Sequence, residues 1–126
     1  MTMDLLLAQL DELLRRHRPA YYAQLKPGAT PPKLAAFEAD FDRPLPPELR
    51  AWFGWRNGQA AQVFDSLVGM YTFPSLDEIA GTVRINRELL AAGDFAPSWW
   101  SKHWLPFLTN GSGDHLCLDL DGTFTQ

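Results

Sequence analysis

Thr109–Gly122 reads TNGSGDHLCLDLDG, and the fold of the chain's second half turns on how this stretch is read. Three glycines, three aspartates, a histidine and the only cysteine of the chain, Cys117, fall within it. A phosphate cradle of the P-loop type needs a strand before it, a helix after it and a lysine that reaches the phosphate. Here the following residues alternate like a strand, and no lysine is near. A calcium loop of the EF-hand type wants acids at its first odd positions and a glutamate at its end. Asp119–Gly122 is too short a fragment of that pattern. The stretch therefore predicts a glycine-permitted turn over Thr109–Asp114 that enters a strand, with Asp114 placed to bond the turn's own backbone.

In a strand over His115–Leu120, successive side chains point to opposite faces. Leu116, Leu118 and Leu120 form one row, expected to face the core. His115, Cys117, Asp119 and Asp121 form the other, expected to face outward. A transition-metal site or a Cys–His nucleophile pair is the alternative for this second row. Residues two apart on a strand are separated by about 7 Å, too far for a direct thiolate–imidazole bond. His17 and His103 show no ligand spacing that would complete a metal site. No metal, no cofactor and no catalytic residue are expected.

Upstream, Trp104–Leu108 predicts the partner strand, and Leu67–Phe73, mixing β-branched and aromatic residues, a further one. Helical stripes fill the rest. Leu6, Leu10, Leu13 and His17 share one face of a helix over Met3–Arg18, with Leu7 and Leu14 beside them. Thr30 is an N-cap followed by Pro31, and Leu34, Phe37 and Phe41 give that helix its apolar side before Asp42-Arg43-Pro44 ends it. Pro46-Pro47-Glu48 opens a third helix bearing Leu49, Trp52 and Phe53, stopped at Asn57-Gly58. Ser75-Leu76-Asp77-Glu78 is a capping box for a fourth, which presents Leu76, Ile79, Ala80, Val83, Arg87 and Leu90 and stops at Gly93. Helices first and then a mostly antiparallel sheet with an inserted helix make an α+β domain.

A chain of 126 residues, 46% hydrophobic and 13% aromatic, is long enough for one domain with its own core. One cysteine cannot form an internal disulfide, which fits a reducing compartment. The N-terminus has acids where a secretory leader carries bases, and no run approaches the roughly 20 apolar residues that span a bilayer. A cytoplasmic chain is expected, with no membrane contact. The net charge of −4 sits in residues 51–126, where eight acids face four bases. Such a half repels phosphate backbones, so no direct nucleic-acid binding is expected, whereas a basic protein partner is suited. Arg15-Arg16-His17-Arg18 complements the dipole at the end of the first helix.

Two motifs carry a family resemblance. Leu45-Pro46-Pro47-Glu48-Leu49-Arg50-Ala51-Trp52-Phe53, ending in Trp55-Arg56-Asn57-Gly58-Gln59, resembles the signature of the SMI1/KNR4 family within the SUKH superfamily. Trp104-Leu105-Pro106-Phe107-Leu108 followed by Asn110–Leu120 resembles its second signature, and Pro27-Gly28-Ala29-Thr30 with the helix after it also fits. The resemblance spans Leu25 to Gly122 and implies a single domain over 1–126 with a curved sheet flanked by helices. It also implies no enzymatic activity. Bacterial members resemble immunity proteins that bind and neutralise a toxin of the same system, and fungal relatives act in cell-wall signalling through protein partners. Relatives usually continue past Gly122-Thr123-Phe124-Thr125-Gln126 with further strands and a helix. This departure leaves two readings, a curtailed fold or one completed by another chain through self-association or a partner.

Trp55, Asn57, Gly58, Asn110, Gly111, Gly113 and Asp114 occupy the family's recurring positions. The glycines read as turn residues, and Trp55, at a helix end, fits either core or surface. Two partner surfaces are expected. One is the loop Asp94–Trp100, where adjacent Trp99 and Trp100 cannot both face one core side if extended, and tryptophans at a polar rim anchor interfaces. The other is the acidic row of Asp119 and Asp121, extended by Asp114 and Asp65, whose charge would steer a basic toxin such as a nuclease. The expected function is therefore a non-enzymatic immunity protein that occludes its toxin. A small-molecule or metal-binding regulator using His115, Cys117 and Asp119, a histidine–carboxylate hydrolase and a cell-wall-related regulator are the alternatives.

Overall fold

The computed structural model describes residues 2–60, 65–93, 100–110 and 114–121. Among the described residues five helices precede a two-stranded antiparallel sheet: α1 (Met3–His17), α2 (Pro19–Tyr22), α3 (Pro31–Phe41), α4 (Pro47–Trp55), α5 (Leu76–Ala91), β1 (Trp104–Thr109) and β2 (His115–Asp119). The fold is α+β, as the order of signals in the sequence implied.

The helix boundaries follow their capping chemistry. The Thr2 and Thr30 hydroxyls accept the Leu5 and Lys33 N–H groups at 3.2 and 3.4 Å. Ser75 and Glu78 close the capping box of α5 at 3.2 and 3.1 Å, satisfying two backbone donors reciprocally. Asp42, in the left-handed region at φ 64°, ends α3. The Arg15-Arg16-His17 run lies in the last turn of α1, where its charge suits the dipole.

The core is built from one face of each helix and the inner side of the sheet. Leu34, Phe37 and Phe41 of α3, Leu49 and Phe53 of α4, and Leu76, Ile79 and Val83 of α5 meet Phe73 and Leu105, with Phe53 fully enclosed at 0% exposure. On α1 the buried residues are Leu7 and Leu14, while Leu6 and Leu13 of the expected stripe face outward with Leu5. The two stripes are adjacent on the helix, and the docking angle against α4 selects the Leu7–Leu14 side.

Leu67–Phe73 is not a strand. Gly69, at φ 58°, reverses the chain, so Val68 bridges Tyr71 within the same segment. Only Thr72 reaches the sheet, exchanging backbone bonds with Thr109 at 2.6 and 3.2 Å along the free side of β1. In the β1–β2 ladder Pro106 faces Cys117 and Leu108 faces Leu116, so Phe107 is the extra residue of a bulge.

The leucine row of β2 lies on the core side, as expected: the ladder sets Leu118 opposite the buried Leu105 and Leu116 opposite the buried Leu108, and direct partners share a face. Leu120 packs against the core, while Leu116 and Leu118 on the same face are 40% and 38% exposed; His115, Cys117 and Asp119, on the opposite face, are half-buried. Alternation fixes which residues share a face, not which face is covered. Here α5 packs over β1, burying Leu105, and the outer strand β2 keeps Leu116 and Leu118 partly open beside it.

Candidate functional site

The first motif folds into a polar clamp. Past the end of α4 the chain runs extended through Arg56, and Gly58 takes φ 81°. A Cβ there would lie 2.5 Å from the Ser75 nitrogen and 2.7 Å from the Pro74 carbonyl carbon, so any side chain would push the start of α5 away. The Asn57 side-chain oxygen accepts the Leu76 N–H at 2.9 Å, and the Asn57 backbone N–H donates to the Pro27 carbonyl at 3.1 Å. The Gln59 oxygen accepts from the Tyr21 hydroxyl at 2.6 Å and the Phe73 N–H at 2.9 Å, while its amide donates to the Asp65 carbonyl at 2.8 Å. Gln59 is 3% exposed. It is the residue the sequence reading left without a role, although it directly follows Asn57-Gly58. A buried amide this completely bonded holds backbone in place and leaves little capacity for a ligand.

Trp55 belongs to the same framework. Its ring stacks on Phe73 with centroids 6.2 Å apart, and its Nε1 donates to Asp11 of α1 at 2.9 Å. Asp11 also accepts from the Tyr22 hydroxyl at 3.0 Å and pairs with Arg56 at 3.5 Å. Burial opposes the Asp11 charge, but the bonds from Trp55, Tyr22 and Arg56 together hold its carboxyl below the ordinary carboxylate range.

The hairpin carries the other expected site residues. Trp100 is 7% exposed and packs edge-on against Trp104 and His115, so its ring is an inner wall of the hairpin and not a surface anchor. Burial pushes the His115 imidazole below its usual value, opposed in part by Asp114. Burial likewise pushes the Cys117 thiol up to about 11, the reverse of what a nucleophile or metal-binding thiolate requires. Among the described residues no group of three His, Cys, Asp or Glu side chains could hold a metal ion.

The expected acidic row does not form one surface. Asp119 turns to the sheltered side, and its Oδ1 accepts the Asp121 N–H at 3.2 Å. Asp121 is exposed but engaged, bonded to His103 Nδ1 at 2.8 Å and paired with Arg43 of the α3–α4 connection. The His103 bond, foremost, holds its carboxyl low against desolvation. Asp114 is exposed at the hairpin tip, and Asn110 and Asp114 bond each other reciprocally, each distance 3.1 Å. Asp65 is exposed at the clamp side. Asp94, Trp99, Gly111 and Gly113 lie outside the described residues.

A cleft of about 280 Å³ between α3 and α5 was not read from the sequence. Phe37, Phe41, Ala80 and Val83 form its floor, and Asp40 and Glu88 stand on its rim. The Arg87 guanidinium is drawn inward, over the Phe41 ring at 5.0 Å and onto the Phe41 and Lys102 carbonyls. The rim mixes both signs of charge and holds no paired acid–base constellation.

The motif positions thus converge on backbone architecture, and the match of a family model over residues 28–126 accounts for that convergence. The chain belongs to the SMI1/KNR4 family (SUKH-1). The SUKH-1 match begins at the loop before α3, so α1 and α2 precede it. They are nevertheless bound to it through Asp11–Trp55 and Tyr21–Gln59. No curated protein matches the chain. No helix among the described residues is long and apolar enough to cross a membrane.

Proposed function

We propose that this chain is a non-enzymatic binding module, an immunity protein that occupies a cognate toxin and blocks its active site or a surface the toxin needs. The observation that carries the reading is the SUKH-1 match across residues 28–126, whose bacterial members resemble immunity proteins. The disposition of the motif residues supports it. Asn57, Gly58, Gln59 and Trp55 are spent on the scaffold, which leaves recognition to other positions. The thiol that a metal regulator would use points the other way, since burial holds Cys117 protonated.

The partner face we favour is the tip and flank of the hairpin. It includes Asp114 at the tip and Asp121 at the far end; Asp94 and Trp99, outside the described residues, are further candidates from the sequence. Trp100 and Asp119 support this face from behind, one as a wall, the other by holding the Asp121 backbone. A basic toxin domain of nuclease type suits the excess of acids in residues 51–126. Such an immunity protein would act in the cytoplasm.

Growth protection tests this. Toxin domains encoded alongside the chain are expressed alone and together with it. Protection by the native chain, weakened when Asp114 and Asp121 are both changed to Lys, is the expected result. Uninhibited killing by every such domain in the presence of folded chain would refute the proposal.

A further inference from the structure

We propose that the outer face of α1 is a self-association surface: it packs antiparallel against α1 of a second copy of this chain, about a two-fold axis level with Gln9 and Leu10. The proposal stands independently of the immunity reading.

α1 carries two apolar stripes, and the fold buries one of them. Leu7 and Leu14 are enclosed, and Asp11 on the same side is bonded to Tyr22 and Trp55, so α2 and α4 pack there. The other stripe, Leu6, Leu10 and Leu13, repeats at the alternating spacing of four and three residues that seats one helix on another. Met3 precedes it and His17 follows it in the same rhythm, so the stripe runs the length of the helix. Leu6 and Leu13 are 45% and 53% exposed, and Leu10 between them is half-buried. Further round, where the helix faces solvent, it carries Gln9, Glu12 and Arg16, as an amphipathic helix does. An apolar row that the core leaves uncovered is what an interaction surface requires. α1 also precedes the SUKH-1 match, so the row is no part of the scaffold that the family motifs build.

Charge selects the occupant and its direction. The first turn of α1 holds Asp4, and its last turn holds Arg15, Arg16 and His17. Glu48, in the first turn of α4, stands beside the start of α1. Met3, Leu6, Pro47 and Ala51 line a hollow of about 460 Å³ there, together with Asp4 and Glu48 and with no basic residue. An antiparallel second copy lays the basic last turn of its α1 over this acidic end, and the two-fold repeats the match at the other end. A parallel copy would set the two basic turns side by side. In the antiparallel register Leu6 meets Leu13 of the second copy, Leu13 meets its Leu6, and the two Leu10 side chains lie near the axis. One helix pair buries less than the roughly 1,600 Å² of a standard interface, so the association is weak and concentration-dependent.

Cross-linking reads this register directly. Leu6→Cys and Leu13→Cys are made separately in a Cys117→Ser background and oxidised mildly, each alone and the two mixed. Both positions are exposed, so the fold is retained, and circular dichroism checks it. The mixture should give a covalent dimer and neither variant alone should. Like positions on the two helices are offset by about 10 Å along the axis, beyond the reach of a disulfide. Any other pattern, a dimer from one variant alone or no dimer from the mixture, would overturn the proposal. Sedimentation of the native chain supplies the second arm. Its mass should rise from one chain towards two with concentration, and Leu13→Lys should weaken the dimer by more than about tenfold. A native chain that stays monomeric at every concentration, or a dimer indifferent to Leu13→Lys, would defeat the assignment.

Discussion

The clamp around Asn57–Gln59 and the hairpin β1–β2 both derive from motif residues, yet they are built in opposite ways. In the clamp, side chains bond backbone from three directions, and Gln59 alone ties α2, the 65–73 segment and its own turn together. In the hairpin, one face carries the buried Leu105 beside Leu116 and Leu118, which stand partly in solvent, and the other carries Trp100 against Trp104 and His115. A region that satisfies itself internally has nothing left to recognise a partner with. A region half-finished on its own is where association costs least to arrange. The family's recurrent residues in the clamp therefore mark stability, and the proposed recognition falls to the hairpin.

The comparison can be broken first at the clamp. Phe53→Ala, beneath it, should destabilise the fold by about 3–5 kcal/mol in denaturant unfolding, because an enclosed ring is lost without collapse of the site. A cost under about 1 kcal/mol would mean the core there is loose. Gln59→Leu keeps the volume but strands the Tyr21 hydroxyl and the Phe73 N–H, and should cost about 2–4 kcal/mol.

Asp11 offers a pH test of the same region. Its folded pKa is depressed, so its contribution is fully present above the unfolded carboxylate value near about 4 and is lost as pH falls through the folded value. Asp11→Asn should lower stability by on the order of 1 kcal/mol at neutral pH and flatten the acid limb of the stability profile. An unchanged acid limb would show that Trp55 and Tyr22 do not favour the ionised form.

The hairpin should respond weakly. Leu118→Thr should shift monomer stability by less than about 0.5 kcal/mol, since the side chain already faces water. A shift beyond 1.5 kcal/mol would show that this face is covered. Cys117 should react slowly with thiol reagents at pH 8, far below its raised pKa of about 11, and faster in denaturant. Equal rates folded and unfolded would contradict its sheltered position.

Much of this was legible in the residues. Thr30-Pro31 and the Ser75–Glu78 box set helix starts because caps act through local backbone donors, and local chemistry is visible in sequence. The pairing of β1 with β2 was legible as well, from the alternation along the second strand. The shared core-side face of the β2 leucines was legible too, but the exposure of Leu116 and Leu118 was not, because alternation carries no label for how far a face is covered. Three leucines suggested a core side, but burial depends on where the helices dock. Leu67–Phe73 misled because its composition suits a strand while Gly69 turns it back on itself. Trp100 and Asp119 were expected at the surface for reasons of residue type, which tertiary packing overrides. Gln59 escaped notice because a glutamine shows no sign, in sequence, of being buried and fully bonded.

The central claim is that this SUKH-1 chain works by holding another protein. Calorimetric titration of the purified chain with the purified toxin domain whose killing it prevents tests it most directly. Saturable binding with one toxin per chain and submicromolar affinity, together with loss of the toxin's activity at the same stoichiometry, is the predicted result. Protection in cells without any heat of binding, and with toxin activity intact beside excess chain, would contradict it.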